Sequence, residues 1–183
     1  LCHDLGKPGS TQHEGDRIRS LGHDRRGEEI SQNFLSRLRA ATALTQQIAA
    51  LVRHHLAPAL YVAEGAGPRG YRRLARRLAR SGVSLALLER VARADHLGRT
   101  TADANEGTFA AGESFLSRAA EFSVDRRPPP DRVHGRHLVA RGLQPGKEFG
   151  EILERCRALQ DEGEETDPEV ILDRVLAADP TDH

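Results

Sequence analysis

An imidazole and a carboxylate stand side by side in His3-Asp4. Leu5-Gly6-Lys7 follows at once, then His23, the adjacent pair His54-His55, and finally Asp95. Groups of this kind, arriving from different helices, can converge on one hard or borderline divalent cation. Asp4 can bridge two such ions, because its two oxygens carry about four lone-pair sites. Gly6 lets the chain turn sharply behind the ligands, and Lys7 sets a cation beside a bound phosphate. The dipeptide alone carries little, since a second one, His23-Asp24, follows in the same chain. The whole spaced set carries the inference: a site for one or two divalent ions (Mn, Ni, Co, Mg or Zn), with Asp4 and Lys7 at the chemistry. Lewis acidity toward water and phosphoryl oxygens makes hydrolysis of a phosphate ester the expected reaction. His13, His96, His134, His137 and His183 fall outside this pattern and are expected to be surface or internally satisfied residues.

A second feature concerns polyanions. Lys plus Arg balance Asp plus Glu at 27 each, so net charge says nothing about a nucleic-acid partner. Distribution says more. Arginines cluster between Arg69 and Arg80, and acids between Asp161 and Glu169. At helical spacing Arg72, Arg76 and Arg80 share a face, with Arg73 and Arg77 beside them. Guanidinium forks match phosphate oxygens, so this face is a candidate RNA surface. The plainer alternative is a solvated helix face, since Arg is a good helix former. Near the other end, the turn Gln144-Pro145-Gly146 precedes a helix whose free N–H groups suit a phosphate, with Lys147 beside them.

The elements that must position these groups read as helices. Ile30, Phe34, Leu35 and Leu38 recur at helical spacing, as do Leu44, Ile48, Leu51 and Val52. Leu74 and Leu78 mark an Arg-rich helix bounded by Gly65–Gly70 and by Ser81-Gly82. Ser84 is the expected cap of the next helix, which carries Leu85, Leu88, Val91 and Ala92. Pro128, Pro129 and Pro130 favour an extended spacer and divide residues 1–124 from residues 131–183. Beyond them a short helix is expected over Gly135 to Gly142. A longer one carries Phe149, Ile152, Leu153, Cys156 and Leu159 and ends at Gly163. Thr166-Asp167-Pro168-Glu169 reads as a capping box before Val170, Ile171, Val175 and Leu176. Convincing strand signals are absent. The expected class is all-α, a helical bundle followed by a small helical module.

Composition narrows the setting. Two cysteines, Cys2 and Cys156, argue against a disulfide framework and suit a reducing cytosol. No apolar run is long enough to span a bilayer, so no membrane partner is expected and a cytoplasmic location is the default. A chain with no Met, beginning Leu1-Cys2-His3-Asp4, reads as a piece of a longer protein.

Residues 1–124 resemble an HD-superfamily phosphohydrolase domain, whose pattern runs His, His-Asp, further His residues and a distant Asp. More narrowly, Leu1-Cys2-His3-Asp4-Leu5-Gly6-Lys7-Pro8, Gly22-His23-Asp24, Val52-Arg53-His54-His55 and Ala94-Asp95-His96-Leu97-Gly98-Arg99 are similar to the HD region of bacterial CCA-adding tRNA nucleotidyltransferases of the poly(A) polymerase family. The resemblance implies His3, Asp4 and Asp95 as metal ligands, with His23 and one or both of His54 and His55 available to a second ion. It implies 2′,3′-cyclic nucleotides or terminal phosphates of RNA as substrates. Gly135-Arg136-His137-Leu138, Gly142 to Gly150 and Leu159 to Gly163 are similar to the C-terminal segment of the same enzymes, which implies a module holding tRNA. The chain departs from the pattern in lacking the first His and the nucleotidyltransferase head. Two other readings stand beside the enzymatic one: a non-catalytic RNA-binding scaffold, and a stand-alone HD nucleotidase.

Overall fold

A computed structural model describes residues 2–14, 17–163 and 167–178. The class is all-α: among the described residues, ten α-helices and a short 3-10 helix (Lys7–Gly9) accompany a single two-stranded hairpin. The hairpin pairs β1 (Thr11–Glu14) with β2 (Arg17–Ser20) antiparallel, Thr11 facing Ser20. No convincing strand signal marks it in the sequence. A segment with one apolar residue, Ile18, offers no alternating pattern to read. The chain divides into two compact units, residues 1–66 with 74–128, and residues 67–73 with 129–183.

In the first unit α1 (His23–Arg37) and α2 (Thr42–His54) pack as a helical hairpin. The short α3 (Ala57–Ala63) follows, begun by Pro58, which a first turn tolerates because its missing N–H would be unpaired anyway. α4 (Pro68–Ala79) starts inside the expected Gly65–Gly70 break for the same reason. α5 (Leu85–Leu97) is capped as expected, with Ser84 Oγ accepting from Leu87 N at 3.1 Å. α6 (Ala102–Asn105) is a single turn, and α7 (Ala110–Glu121) packs on α3 and α5. Leu78, Leu85, Leu88, Phe115, Ala119 and Val124 are almost wholly buried. On α5 the buried residues Leu85, Leu88 and Ala92 recur every three or four positions. Asp95 comes three residues after Ala92 and is delivered to that same side.

The apolar sides of α1 and α2 are only partly covered. Phe34 and Leu38 are exposed, and with Leu35, Ile48, Leu51 and Val52 they border a cavity of about 410 Å³.

In the second unit α8 (Gly135–Ala140), α9 (Lys147–Glu162) and α10 (Pro168–Ala177) enclose Val133, Leu138, Ile152, Cys156, Ile171, Leu172 and Val175. The triple proline is non-helical, and Gln160 of α9 holds its end: Nε2 donates to Pro130 O at 2.7 Å and Oε1 accepts from Arg132 N at 2.9 Å. α9 stops at Gly163, whose φ of 91° only glycine adopts freely. Thr166 lies outside the described residues. The cap of α10 is Asp167, whose Oδ1 accepts from Glu169 N at 2.8 Å. His137 Nδ1 accepts from His134 N at 3.0 Å, so an imidazole caps the start of α8. No helix among the described residues is long and apolar enough to cross a membrane.

Candidate metal centre

His3 and Asp4 sit on a turn that is pressed onto the start of α1. Gly6 makes that approach possible. A Cβ there would lie 2.0 Å from His23 O and 2.7 Å from Gly27 N. Gly6 itself is right-handed, with φ −77°. Its role is therefore close backbone contact, which corrects the expectation of a sharp turn needing glycine. Gly27 faces it, and the contact sets His23, the first residue of α1, beside the His3-Asp4 turn.

His55 follows α2 directly and lies three residues beyond the buried Val52, so its ring points to the same interior. His54 is turned about 100° away by helix geometry. Among the described residues the outcome is two sets of donor atoms, each within 4.8 Å of one another: Asp4, His23 and His55, and His3, Asp4 and Asp95. Asp4 belongs to both. His54 joins neither and borders a separate cavity of about 220 Å³ with Glu28, Arg53, Arg77 and Ser81.

The imidazoles are oriented by backbone. His23 Nδ1 donates to Ser20 O and His55 Nδ1 donates to Val52 O, each at 2.7 Å. A carbonyl only accepts, so both protons lie on Nδ1 and both Nε2 atoms present lone pairs when the rings are neutral. Those Nε2 atoms face each other at 3.1 Å. Two lone pairs at that separation repel unless a cation lies between or beside them. Backbone carbonyls behind ligating imidazoles are the usual arrangement at metal sites. Burial first, and then His23 and His3, push the His55 pKa down against the opposing Val52 carbonyl and Asp95.

His3 Nε2 lies 3.0 Å from Asp95 Oδ1 and 3.4 Å from Asp4 Oδ2. Burial raises the Asp95 pKa, but the hydrogen bond and charge of Arg99, with His3 and His55, outweigh it and leave the carboxyl below its usual range. Asp4 Oδ2 accepts from Lys7 Nζ at 2.7 Å. Asp4 Oδ1, in contrast, is buried and has no hydrogen-bond partner among the described residues. Such an oxygen is costly to leave unsatisfied, and a divalent cation is the partner that imidazoles and carboxylates in this arrangement fit. The site opens into a cavity of about 390 Å³ lined also by Lys7, Thr11, Ser20, Leu56 and Arg99. Thr11 and Ser20 meet there across the hairpin, Oγ1 to Oγ at 2.7 Å. The hairpin hydroxyls and Arg99 were not foreseen; for Arg99 the signal was its spacing of four from Asp95.

The second His-Asp pair behaves differently. His23 enters the centre, whereas Asp24 pairs with Arg53, which also reaches Glu28 at 3.5 Å. Of the residues outside the expected set, His96 stacks on Phe109 and reaches Asp103 at 3.1 Å.

The expected RNA-contacting arginines fall into two groups. Arg73, Arg77 and Arg80 are exposed. Arg72 and Arg76 are half-buried, and Arg72 Nη1 donates to Asp161 O at 3.2 Å. The buried side of α4 carries Leu74, Ala75 and Leu78, and the exposed arginines are Arg73, Arg77 and Arg80, so of the expected shared face of Arg72, Arg76 and Arg80 only Arg80 is fully open to solvent. Lys147 is exposed in the first turn of α9.

His54 gives a pH prediction. Burial, then Arg77 and Arg53, lower its pKa from 6.5 to about 4 against the opposing Asp24. The folded state therefore favours the neutral ring. That stabilisation is complete above about pH 6.5 and is lost as pH falls toward 4, where the unfolded chain takes up a proton that the folded chain refuses. Allowing for solvent screening of a partly exposed ring, it amounts to about 1–2 kcal/mol. Thermal melts of parent and His54→Gln between pH 7 and pH 4 should show a shallower acid decline in the variant. Parallel declines would contradict this assignment.

Over most of its length the chain resembles known tRNA nucleotidyltransferases. It is 31% identical over 169 residues to the A-adding tRNA nucleotidyltransferase of Deinococcus radiodurans, an alignment taking in 89% of this chain and 37% of that protein. It is 30% identical over 166 residues to the CC-adding tRNA nucleotidyltransferase of Thermus thermophilus, with 89% of this chain and 35% of that protein aligned. No family model matches the chain, and no solved structure matches it. The chain thus spans little more than a third of the length of these two proteins, and over that third it is similar to them.

Proposed function

We propose that the first unit carries an HD-type, metal-dependent phosphohydrolase site acting on phosphate esters of RNA ends or on 2′,3′-cyclic nucleotides, and that the chain works on tRNA. The observation that carries the metal reading is Asp4: it is shared by both donor sets and has one buried, unpartnered oxygen. A divalent ion held there supplies Lewis acidity toward water and phosphoryl oxygens. The chain's own residues do the rest. His23 and His55 keep their Nε2 lone pairs inward through the Ser20 and Val52 carbonyls. Lys7, its side chain 44% exposed beside Asp4, offers a positive charge to phosphoryl oxygens in the cavity. The tRNA reading rests on what the two relatives are named for, together with exposed Arg73, Arg77, Arg80 and Lys147.

A second reading, an RNA-binding scaffold without hydrolysis, draws on the same site. His3–Asp95, Lys7–Asp4 and Arg99–Asp95 pair these side chains with one another. A network of that kind can serve a fold without chemistry. One experiment separates the two. The chain is incubated with 2′,3′-cyclic AMP or a p-nitrophenyl phosphodiester, with and without Mn, Ni, Co, Mg or Zn. Hydrolysis that requires the added ion and stops in chelator is the expected result. Activity that persists in chelator, or no activity with any ion, overturns the hydrolytic reading and leaves the scaffold.

A further inference from the structure

Arg99 stands four residues beyond Asp95, just past the end of α5. Its backbone is anchored by its own N–H donating to His96 O at 3.1 Å. Its Nη2 donates to Asp95 Oδ2 at 2.5 Å. The other oxygen of the same carboxylate, Oδ1, is the one that faces His3 Nε2. Asp95 is therefore divided between a guanidinium on one side and the donor set on the other. Its side chain is only 12% exposed, so without Arg99 its Oδ2 would be a largely buried, unpaired anionic oxygen, free to swing away from His3. Arg99 itself is 51% exposed and lines the cavity with Lys7, Thr11 and Ser20. A guanidinium has five N–H donors in a planar fork, and one nitrogen on Asp95 leaves most of them for a second anion.

Charge at the cavity supports the same division of labour. Asp4 and Asp95 are offset by Lys7 and Arg99. A divalent ion taken up by the carboxylates and imidazoles leaves an excess of positive charge facing the opening. The complement of that excess is a phosphoryl group, with Lys7 and Arg99 as its two side-chain cations.

We infer that Arg99 is a bifunctional residue of this site: a positioning residue that holds Asp95 in ligating orientation, and a donor to the phosphoryl oxygens of the bound substrate. This inference rests on the metal-centre reading above and adds to it which residue sets the orientation of Asp95 and takes the phosphate with Lys7. The two roles separate chemically. Lysine keeps the charge but has no planar fork, so it can serve a phosphate and cannot reproduce the Asp95 contact in the same geometry.

The test uses the full chain as parent, Arg99→Lys and Arg99→Gln, each checked for parent-like helicity by circular dichroism. Mn affinity is measured by competition with a metallochromic indicator. Inorganic phosphate binding is then measured calorimetrically at saturating Mn. Arg99→Gln is expected to weaken Mn binding about 10–100-fold, the usual effect of losing an outer partner of a ligand, and to weaken phosphate binding about 10-fold or more. Arg99→Lys is expected to recover phosphate binding while leaving Mn binding weak. Parent-like affinities for both probes in Arg99→Gln overturn the inference, and so does a Lys variant no better than Gln for phosphate. A parent chain that binds no Mn fails the metal-centre reading itself, and the inference with it. That outcome is told apart by the parent measurement alone.

Discussion

Asp4→Asn is expected to strip bound divalent metal from the protein and to lower phosphoester hydrolysis by at least about 10³-fold. The estimate is set from below by the 10–100-fold typical of losing a mere outer partner of a ligand. Asp4 is more than that: it belongs to both donor sets, so its loss removes a carboxylate from each. The amide is nearly isosteric and cannot bridge two cations as a carboxylate does. The fold should tolerate it. The Asp4 side chain is 40% exposed, and its pairing with Lys7 is a half-solvated contact of little net worth. Its buried Oδ1 has nothing to lose, because no described group donates to it. The metal-free melting temperature should therefore stay within a degree or two of the parent, or rise. The control lies in the chain's other His-Asp pair. Asp24 is engaged by Arg53 and lies outside both sets, so Asp24→Asn should keep its metal while losing that ion pair. Elemental analysis after dialysis and initial rates with a p-nitrophenyl phosphodiester measure both variants. Metal retained in Asp4→Asn, or lost equally from Asp24→Asn, would defeat the assignment.

That contrast also shows where the sequence was legible. The helices α1, α2, α5, α9 and α10 declared themselves because their apolar residues recur every three or four positions, and Ser84 and Gly163 marked ends for stated reasons of capping and left-handed backbone. Of the candidate ligands, the structure brings together His3, Asp4, His23, His55 and Asp95, and sets His54 apart. The resemblance implies one or both of His54 and His55, and because adjacent positions at the end of a helix diverge by about 100°, only the one in phase with Val52 reaches the interior. On α4 the phase of Leu74 and Leu78 sets Arg76 opposite them, yet Arg76 is half-buried and Arg72 donates to Asp161 O, which spacing alone does not reveal. What no periodicity could reveal was the hairpin. Thr11–Glu14 and Arg17–Ser20 hold a single apolar residue, Ile18, so no alternation can be read in them, yet Thr11 and Ser20 form part of the cavity wall. Arg99 was hidden for another reason. Its importance depends on Asp95 needing a second partner, which becomes visible only when His3 is seen to face the first oxygen.

Gly6→Ala should be the most damaging small substitution in the first unit. The backbone conformation is no obstacle, since a φ of −77° suits alanine, and the loss of glycine's freedom in the unfolded chain would by itself favour the folded state slightly. Space is the obstacle. The added methyl would lie 2.0 Å from His23 O and 2.7 Å from Gly27 N, and both are backbone atoms of α1 that no rotamer change can move. Either α1 or the His3-Asp4 turn must shift by about 1 Å, and overpacking of this kind costs about 3 kcal/mol or more. At a few degrees per kcal/mol, the melting temperature should fall by roughly 10 °C. Gly107→Ala provides the contrast, because its φ of 74° is strained for alanine while nothing lies within 4 Å of the new methyl. Strain alone should cost about 1–2 kcal/mol and leave the centre undisturbed. The two variants then part on a second measurement. His23 O is the atom struck by the Gly6 methyl, and the His23 ring is held only four bonds farther along, so the shift separates the His23 and His55 nitrogens from Asp4. Gly6→Ala should lose Mn affinity even at temperatures where it remains fully folded, whereas Gly107→Ala should bind Mn as the parent does. A Gly6→Ala protein that melts with the parent and binds Mn equally would mean that the turn carrying His3 and Asp4 does not rest on α1.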